Sequence, residues 1–243
     1  MVAVAKLSIV IPVYNEERTI KDLLDAVAGC QLLEDTRREL IVVNDGSSDA
    51  TLERILEWKQ ANPQVDLVLR GHERNQGKGA ALHTGIACAT GDYLIIQDAD
   101  LEYDPNEYEL LLAPIRQGKA DVVYGSRFIG GQPHRVLFFW HMVGNKFLTF
   151  ISNAGSNLNL TDMETCYKLF RTDIIQSLRL CEKGFGFEPE VTAKVARWPG
   201  VRVYEVGISY YGRTYAEGKK IGWKDGLEAI FCILKYSILS RRP

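Results

Sequence analysis

Two hydrophobic periodicities alternate along the first half of the chain. Leu7 to Val13 is an apolar run rich in branched residues, the pattern of a strand buried on both faces. Ile20, Leu23, Leu24 and Val27 then recur at helical spacing. Leu40 to Val43 predicts a second strand, and Ser48 or Asp49 is placed to cap a helix whose apolar face is Leu52, Ile55 and Leu56. Val65 to Leu69 predicts a third strand, Gly77 to Cys88 a helix, and Tyr93 to Gln97 a fourth strand. Pro105 suits the first residue of the next helix, and Val122 to Tyr124 is a fifth strand. Repeated strand–helix units predict an α/β fold, a mostly parallel, Rossmann-like sheet with helices on both faces.

The second half is less regular. Val136 to Ile151 has eleven apolar residues in sixteen and reads as an apolar helix, followed by a polar loop over Asn153 to Asn159. Cys166 to Phe170 predicts a strand, and Thr172 to Leu180 and Glu188 to Arg197 predict helices. Val201 to Val206 and Ile208 to Tyr211 read as two short strands, and Gly222 to Ser240 as a closing helical extension. The expectation is a single domain over 1–243, with 1–125 one half and 126–243 the other.

Ligands on open parallel sheets bind beyond the carboxyl ends of the strands. Here those ends carry Tyr14-Asn15-Glu16, Asp45-Gly46, Asp98-Ala99-Asp100 and Gly125-Ser126-Arg127. Residues two apart in an extended segment point the same way, so Asp98 and Asp100 can aim at one point. Two convergent carboxylates suit a hard divalent cation such as Mg²⁺ or Mn²⁺, although Asp at a solvated strand-to-loop corner is the alternative for an isolated match. Gly77-Lys78-Gly79 lacks the rest of a P-loop pattern.

Composition narrows the partners. A net charge of −2 over 243 residues excludes a general nucleic-acid binder. The five cysteines (30, 88, 166, 181, 232) are scattered, with no CxxC pair, which favours neither zinc nor a disulfide framework and predicts a reducing, cytoplasmic setting. Leu7 to Val13 is short and holds Pro12, so it is expected to be a strand rather than a secretory signal. From Arg213 onward, seven basic residues face three acidic ones, a local basic tail that predicts an anionic partner.

The ordered pieces Ile11-Pro12-Val13-Tyr14-Asn15-Glu16, Asn44 to Asp49, Asn75 to Gly79, Asp98 to Glu102, Gly125 to Phe128, Asp162 to Lys168, and Tyr211-Gly212-Arg213 with Lys219-Lys220 carry a resemblance over nearly the whole chain. Together they resemble the family 2 glycosyltransferases of GT-A fold, and within them the polyprenyl-phosphate and dolichyl-phosphate sugar transferases. The resemblance implies a metal-dependent, inverting transfer of a sugar from a UDP- or GDP-sugar to a lipid phosphate. It places Pro12, Tyr14, Glu16, Asp45, Lys78 and Asp98 on the nucleotide sugar, with Arg213 and Lys219 or Lys220 closing over the diphosphate. It makes Asp98, Asp100 and Glu102 the metal ligands; Glu102 stands where relatives often have Gln.

Two acceptor chemistries stay open. An alcohol needs a general base, for which Asp162 and Glu164 are the candidates. A lipid phosphate is already ionised near neutral pH and needs a cationic socket, for which Arg127 comes first and Arg135 second. A soluble transferase acting on a small hydroxylated acceptor is therefore the alternative function. Glu188 and Glu190 either shape the sugar pocket or start a helix. The apolar helix near 136–151 and the closing helix ending in Arg241-Arg242 suit peripheral attachment to the cytoplasmic face of a membrane, or else cover the sheet.

Overall fold

A computed structural model describes residues 2–33, 36–131, 133, 135–136, 138–214 and 223–239. The apolar runs become the strands β1 (Lys6–Val13), β2 (Arg37–Asn44), β3 (Leu67–Gly71), β4 (Tyr93–Ile96) and β5 (Val122–Ser126). Helices α1 (Ile20–Gly29), α2 (Thr51–Ala61), α3 (Lys78–Cys88) and α4 (Tyr108–Arg116) connect them. Asp49 Oδ1 accepts from the Thr51 amide at 3.0 Å, but the N-cap position of α2 falls to Ala50, which offers no side-chain cap, rather than to Ser48 or Asp49. The turn Pro105–Glu107 is opened by Asp104, whose side chain accepts from the Asn106 amide at 2.9 Å.

Later in the chain come α5 (Phe139–Ser156), β6 (Lys168–Arg171), α6 (Thr172–Ser177), α7 (Phe187–Val195), β7 (Val203–Gly207) and α8 (Trp223–Ile233), which runs into a π-helical turn at Leu234–Leu239. The sheet has seven strands in the order β3-β2-β1-β4-β6-β5-β7. All neighbours are parallel except β6, which is antiparallel to both β4 and β5. The α/β, mostly parallel arrangement expected from the sequence is therefore present, with β6 and β7 inserted from the second half of the chain.

Period-two alternation puts opposite faces of β1 into two cores. Ile9 and Ile11 join Leu40, Val42, Leu23, Leu24, Ile55 and Leu111 on one side. Val10 joins Ile41, Val43, Leu82, Phe187 and Val191 on the other. Helices therefore cover both faces, as the unbroken apolar strands require.

Two local expectations change. Residues Asn153 to Ser156 extend α5 rather than forming a loop, and the helix stops at Asn157, whose φ of +57° is left-handed. Ile208 to Tyr211 is not a strand; only Tyr210 makes an isolated bridge. The segment is held instead by Glu107, whose carboxylate accepts from the Ser209 amide at 2.9 Å. This leaves the backbone after β7 free to turn over the sheet edge toward β4.

Helices α5, α7 and α8 pack together beside the sheet. Their outer side is apolar: Phe139, Trp140, Val143, Phe147 and Phe150 of α5 are exposed, as are Leu227 and Phe231 of α8. Trp140 is 77% and Phe150 69% exposed, far beyond what a helix covering a sheet needs. Among the described residues no helix is long and apolar enough to cross a membrane.

Candidate active site

The site forms where β1, β2, β4 and β5 end together. After β1 the chain turns through Asn15 at φ +50°. Asn15 Oδ1 accepts from the Ser48 amide at 2.8 Å, which ties this turn to the one after β2. Tyr14 is exposed beside Pro12, and Glu16 points toward the loop after β4, linked through Thr19, whose hydroxyl sits 2.8 Å from both Glu16 Oε2 and the Ala99 carbonyl.

Asp45 is buried and fully engaged. Its carboxylate accepts from the Gln76 amide at 3.0 Å and the Gly77 amide at 2.8 Å, and His72 Nδ1 lies at 2.6 Å. His72 had no signal in the sequence; it braces Asp45 from behind. A Cβ on Gly79 would meet the Glu182 carbonyl at 2.3 Å, so this glycine exists for close packing of the 77–79 turn against the 182–184 segment. That accounts for the Gly-rich segment without a phosphate loop, and brings Lys78 to the end of β4.

Asp98 and Asp100 leave β4 on different errands. Both oxygens of Asp98 are held by Lys78, at 2.7 and 2.9 Å, and the same ammonium lies 2.9 Å from Cys166 Sγ. Burial alone would raise the Asp98 carboxyl, but the Lys78 charge prevails and holds it below the ordinary range. Asp100 faces Arg213 Nη2 at 3.1 Å. Burial first, then repulsion by Asp98 and Glu102, push Asp100 up to about 7, against the opposing pull of Arg213. Between Asp100 and Glu102 sits Leu101 with φ +61°, a left-handed backbone unusual for a bulky residue. This kink turns Glu102 toward Arg213, whose amide donates to Glu102 Oε1 at 2.7 Å; the Tyr210 hydroxyl donates to Glu102 Oε2 at 2.8 Å.

Arg213 thus stands among three carboxylates: Asp100, Glu16 at 3.5 Å and Glu102 at 3.6 Å. A divalent cation fits this donor set. Asp100 carries repulsion that one guanidinium relieves only in part, and added positive charge would relieve more. Among the described residues no group of three or more His, Cys, Asp or Glu side chains forms a ready metal cage. A hard cation of this kind can be held by one or two carboxylates and completed by substrate phosphates. Lys219 and Lys220 lie outside the described residues.

On the far side, Arg127 and Asp162 form a bidentate pair, Nε–Oδ2 and Nη2–Oδ1 both 2.7 Å, and the Arg127 amide adds a 3.1 Å bond. The guanidinium also lies over Tyr210, 5.2 Å from the ring centroid. The expected phosphate socket and the expected base are therefore each other's partner, leaving Nη1 as the one guanidinium nitrogen with no hydrogen bond among the described residues. Arg135 is braced on the segment after β7, donating from Nη1 to the Gly212 carbonyl at 3.0 Å. Glu164 is different: burial first, then the charges of Glu188 and Asp162, push it up to about 7 despite Lys168 and Arg127. Its Oε1 is buried without a hydrogen-bond partner. Glu188 pairs with the fully buried Lys168, whereas Glu190 caps the 181–182 turn and pairs with Lys194 at 2.9 Å.

A polar network under the site went unseen in the sequence. Gln97 Oε1 accepts from Tyr167 at 2.6 Å and Tyr108 at 2.8 Å, while its Nε2 donates to the Asp98 carbonyl at 3.1 Å. Tyr103 stacks on Tyr167, with centroids 4.8 Å apart. A lone polar residue next to Asp98 at the end of an apolar strand was the available signal, but its partners come from two other elements.

On an open, mostly parallel sheet a ligand binds beyond the carboxyl ends of the strands, which here carry these acids and the paired arginine. The family model of glycosyl transferase family 2 matches residues 8–179, so the chain belongs to that family. It is 28% identical over 216 residues to a dodecaprenyl-phosphate galacturonate synthase of Rhizobium johnstonii, covering 88% of this chain and 61% of that protein. It is 30% identical over 217 residues to an undecaprenyl-phosphate 4-deoxy-4-formamido-L-arabinose transferase of Proteus mirabilis, covering 88% of this chain and 62% of that protein. The chain therefore spans under two thirds of these curated relatives. The fold is similar to the GT-A glucosyl-3-phosphoglycerate synthase of Mycobacterium tuberculosis, solved with Mn²⁺, UDP and glucosyl-3-phosphoglycerate, with a TM-score of 0.73 at 18% identity over 96% of this chain and 80% of that one.

Proposed function

We propose that this chain moves a sugar from a nucleotide-sugar donor to a polyprenyl phosphate, with inversion and with Mg²⁺ or Mn²⁺. The observation that carries the reading is the cluster of Asp100, Glu102 and Glu16 around Arg213 at the end of β4, with the Asp98–Lys78 pair beside it. Leaving-group departure builds negative charge on a nucleoside diphosphate, which preorganised cations stabilise. Asp100 and Glu102, with Asp98 beside them, would hold the metal, which when bound offsets diphosphate charge. Pro12, Tyr14, Glu16 and Asp45 line the nucleotide end; Lys78 and Arg213 meet the phosphates.

The acceptor half, 126–243, would bring the lipid phosphate to Arg127 and Arg135. Arg127 offers Nη1 while Asp162 fixes its plane, a geometry suited to a phosphate oxygen. The exposed aromatic side of α5 and α8 supports attachment to a membrane surface, where a polyprenyl phosphate resides. The two relatives named above act, by their names, on polyprenyl phosphates, which points the same way.

A second reading rests on Glu164. A carboxyl pushed up to about 7 is suited to take a proton from an alcohol, so transfer to a small hydroxylated acceptor stays the alternative. The deciding experiment supplies UDP- and GDP-sugars with Mn²⁺ and offers either a short polyprenyl phosphate or soluble alcohols. Transfer to the lipid phosphate alone supports the first reading; brisk transfer to an alcohol with none to the lipid refutes it.

A further inference from the structure

The interior wall of the site sorts its charges into pairs and leaves one carboxyl over. Lys78 is held by Asp98, Arg127 by Asp162 and Lys168 by Glu188. Glu164 stands among the last two pairs, with Glu188, Lys168, Arg127 and Asp162 as its charged neighbours. Among the described residues it makes no hydrogen bond and no ion pair, and its Oε1 is buried and unmet. Two further buried oxygens, Glu188 Oε1 and Thr165 Oγ1, have no partner either. Glu164 is itself partly exposed, so it is the member of this group that a ligand meets.

The unmet atoms are therefore hydrogen-bond acceptors, the Thr165 hydroxyl being able to donate as well. Every cation of the three pairs already has its carboxylate. Glu164 is the fourth carboxyl and has no cation of its own.

We propose that Glu164 selects the sugar of the donor, admitting an uncharged, hydroxyl-bearing sugar and turning away one that carries a carboxylate. The inference rests on the donor-site reading given above. A sugar hydroxyl donates to the unmet carboxyl oxygen and satisfies a buried acceptor that is otherwise costly to leave alone. A uronate brings no donor at its carboxylate and, above about pH 7 where Glu164 is ionised, meets like charge in a site of reduced dielectric. Discrimination then comes from repulsion as well as attraction.

The test is calorimetric titration in Mn²⁺ of UDP-glucose against UDP-glucuronate and of GDP-mannose against GDP-mannuronate, with UDP and GDP alone as references. In the nucleotide series that binds, the uronate should bind at least about tenfold more weakly than its neutral counterpart. Glu164→Gln, nearly isosteric, should close most of that gap by weakening the neutral donor little and strengthening the uronate, while affinity for the bare nucleoside diphosphate stays unchanged. A melting curve for Glu164→Gln superimposable on, or above, that of the wild type shows that the variant is folded. Uronate binding equal to or tighter than the neutral sugar in the wild type overturns the proposal, as does a gap that Glu164→Gln leaves intact. Loss of bare nucleoside diphosphate binding in Glu164→Gln also overturns it, since the residue would then support the whole site. If neither UDP nor GDP binds the wild type, the donor-site reading itself falls and this inference falls with it.

Discussion

Replacing Asp162 by Asn leaves a charged arginine inside the protein without its counter-ion. Asp162 is fully buried and accepts three hydrogen bonds from Arg127, two of them at 2.7 Å. Removing one member of a buried pair costs about 3–5 kcal/mol, because the remaining charge keeps its desolvation penalty. Arg127 retains 12% exposure, so water reaches it and the lower end, about 3 kcal/mol, applies. For a chain of this length each kcal/mol moves the melting temperature by roughly 2–4 °C, which predicts a fall of about 6–12 °C. The double variant Arg127→Met/Asp162→Leu removes both charges and should recover most of that loss, since apolar residues of similar volume replace a buried pair at little cost. Transfer to polyprenyl phosphate should stay abolished in the double variant, because the phosphate partner is gone. Differential scanning fluorimetry and a transfer assay on the two variants read both effects. A melting temperature for Asp162→Asn within about a degree of wild type would refute the energetic reasoning. Wild-type transfer by the double variant would refute the acceptor role of Arg127.

Four further outcomes are expected. Asp100→Asn should lower Mn²⁺-supported UDP or GDP binding by at least about tenfold while leaving the fold intact, and Arg213→Gln should raise affinity for Mn²⁺ alone, read by electron paramagnetic resonance, because a competing cation leaves the carboxylates. Glu164, raised from 4.5 to about 7 in the folded state, stabilises the protein most below pH 4.5 and loses that contribution as pH rises through about 7; Glu164→Gln should flatten this part of the stability–pH curve, and parallel curves would contradict it. Trp140→Glu with Phe150→Glu should abolish flotation with anionic liposomes at unchanged melting temperature, and unchanged flotation would remove α5 from the membrane reading.

The strand ends were legible because apolar runs and the acids that follow them are local. Leu7 to Val13 and Tyr93 to Gln97 announce buried strands by composition alone, and the alternation of Asp98 and Asp100 follows from backbone geometry. The motif order then identified the family. Periodicity failed where tertiary contact overrides local preference: Asn153 to Ser156 stay helical because α5 packs against α7 and α8, and Ile208 to Tyr211 leaves the sheet to pass over Glu107 and Glu102.

What only the folded chain decided is which charges meet. Nothing in the sequence pairs Lys78 with Asp98, Arg127 with Asp162 or Lys168 with Glu188, since each pair joins elements 20 to 35 residues apart. Likewise Arg213 reaches Asp100 across 113 residues only because β6 and β7 enter the sheet beyond β4 and turn the following segment back over it. Residue types at strand ends are written along the chain and mark where a cleft forms. Their protonation and freedom depend on burial and on the nearest opposite charge, and those exist only once the sheet has closed around them.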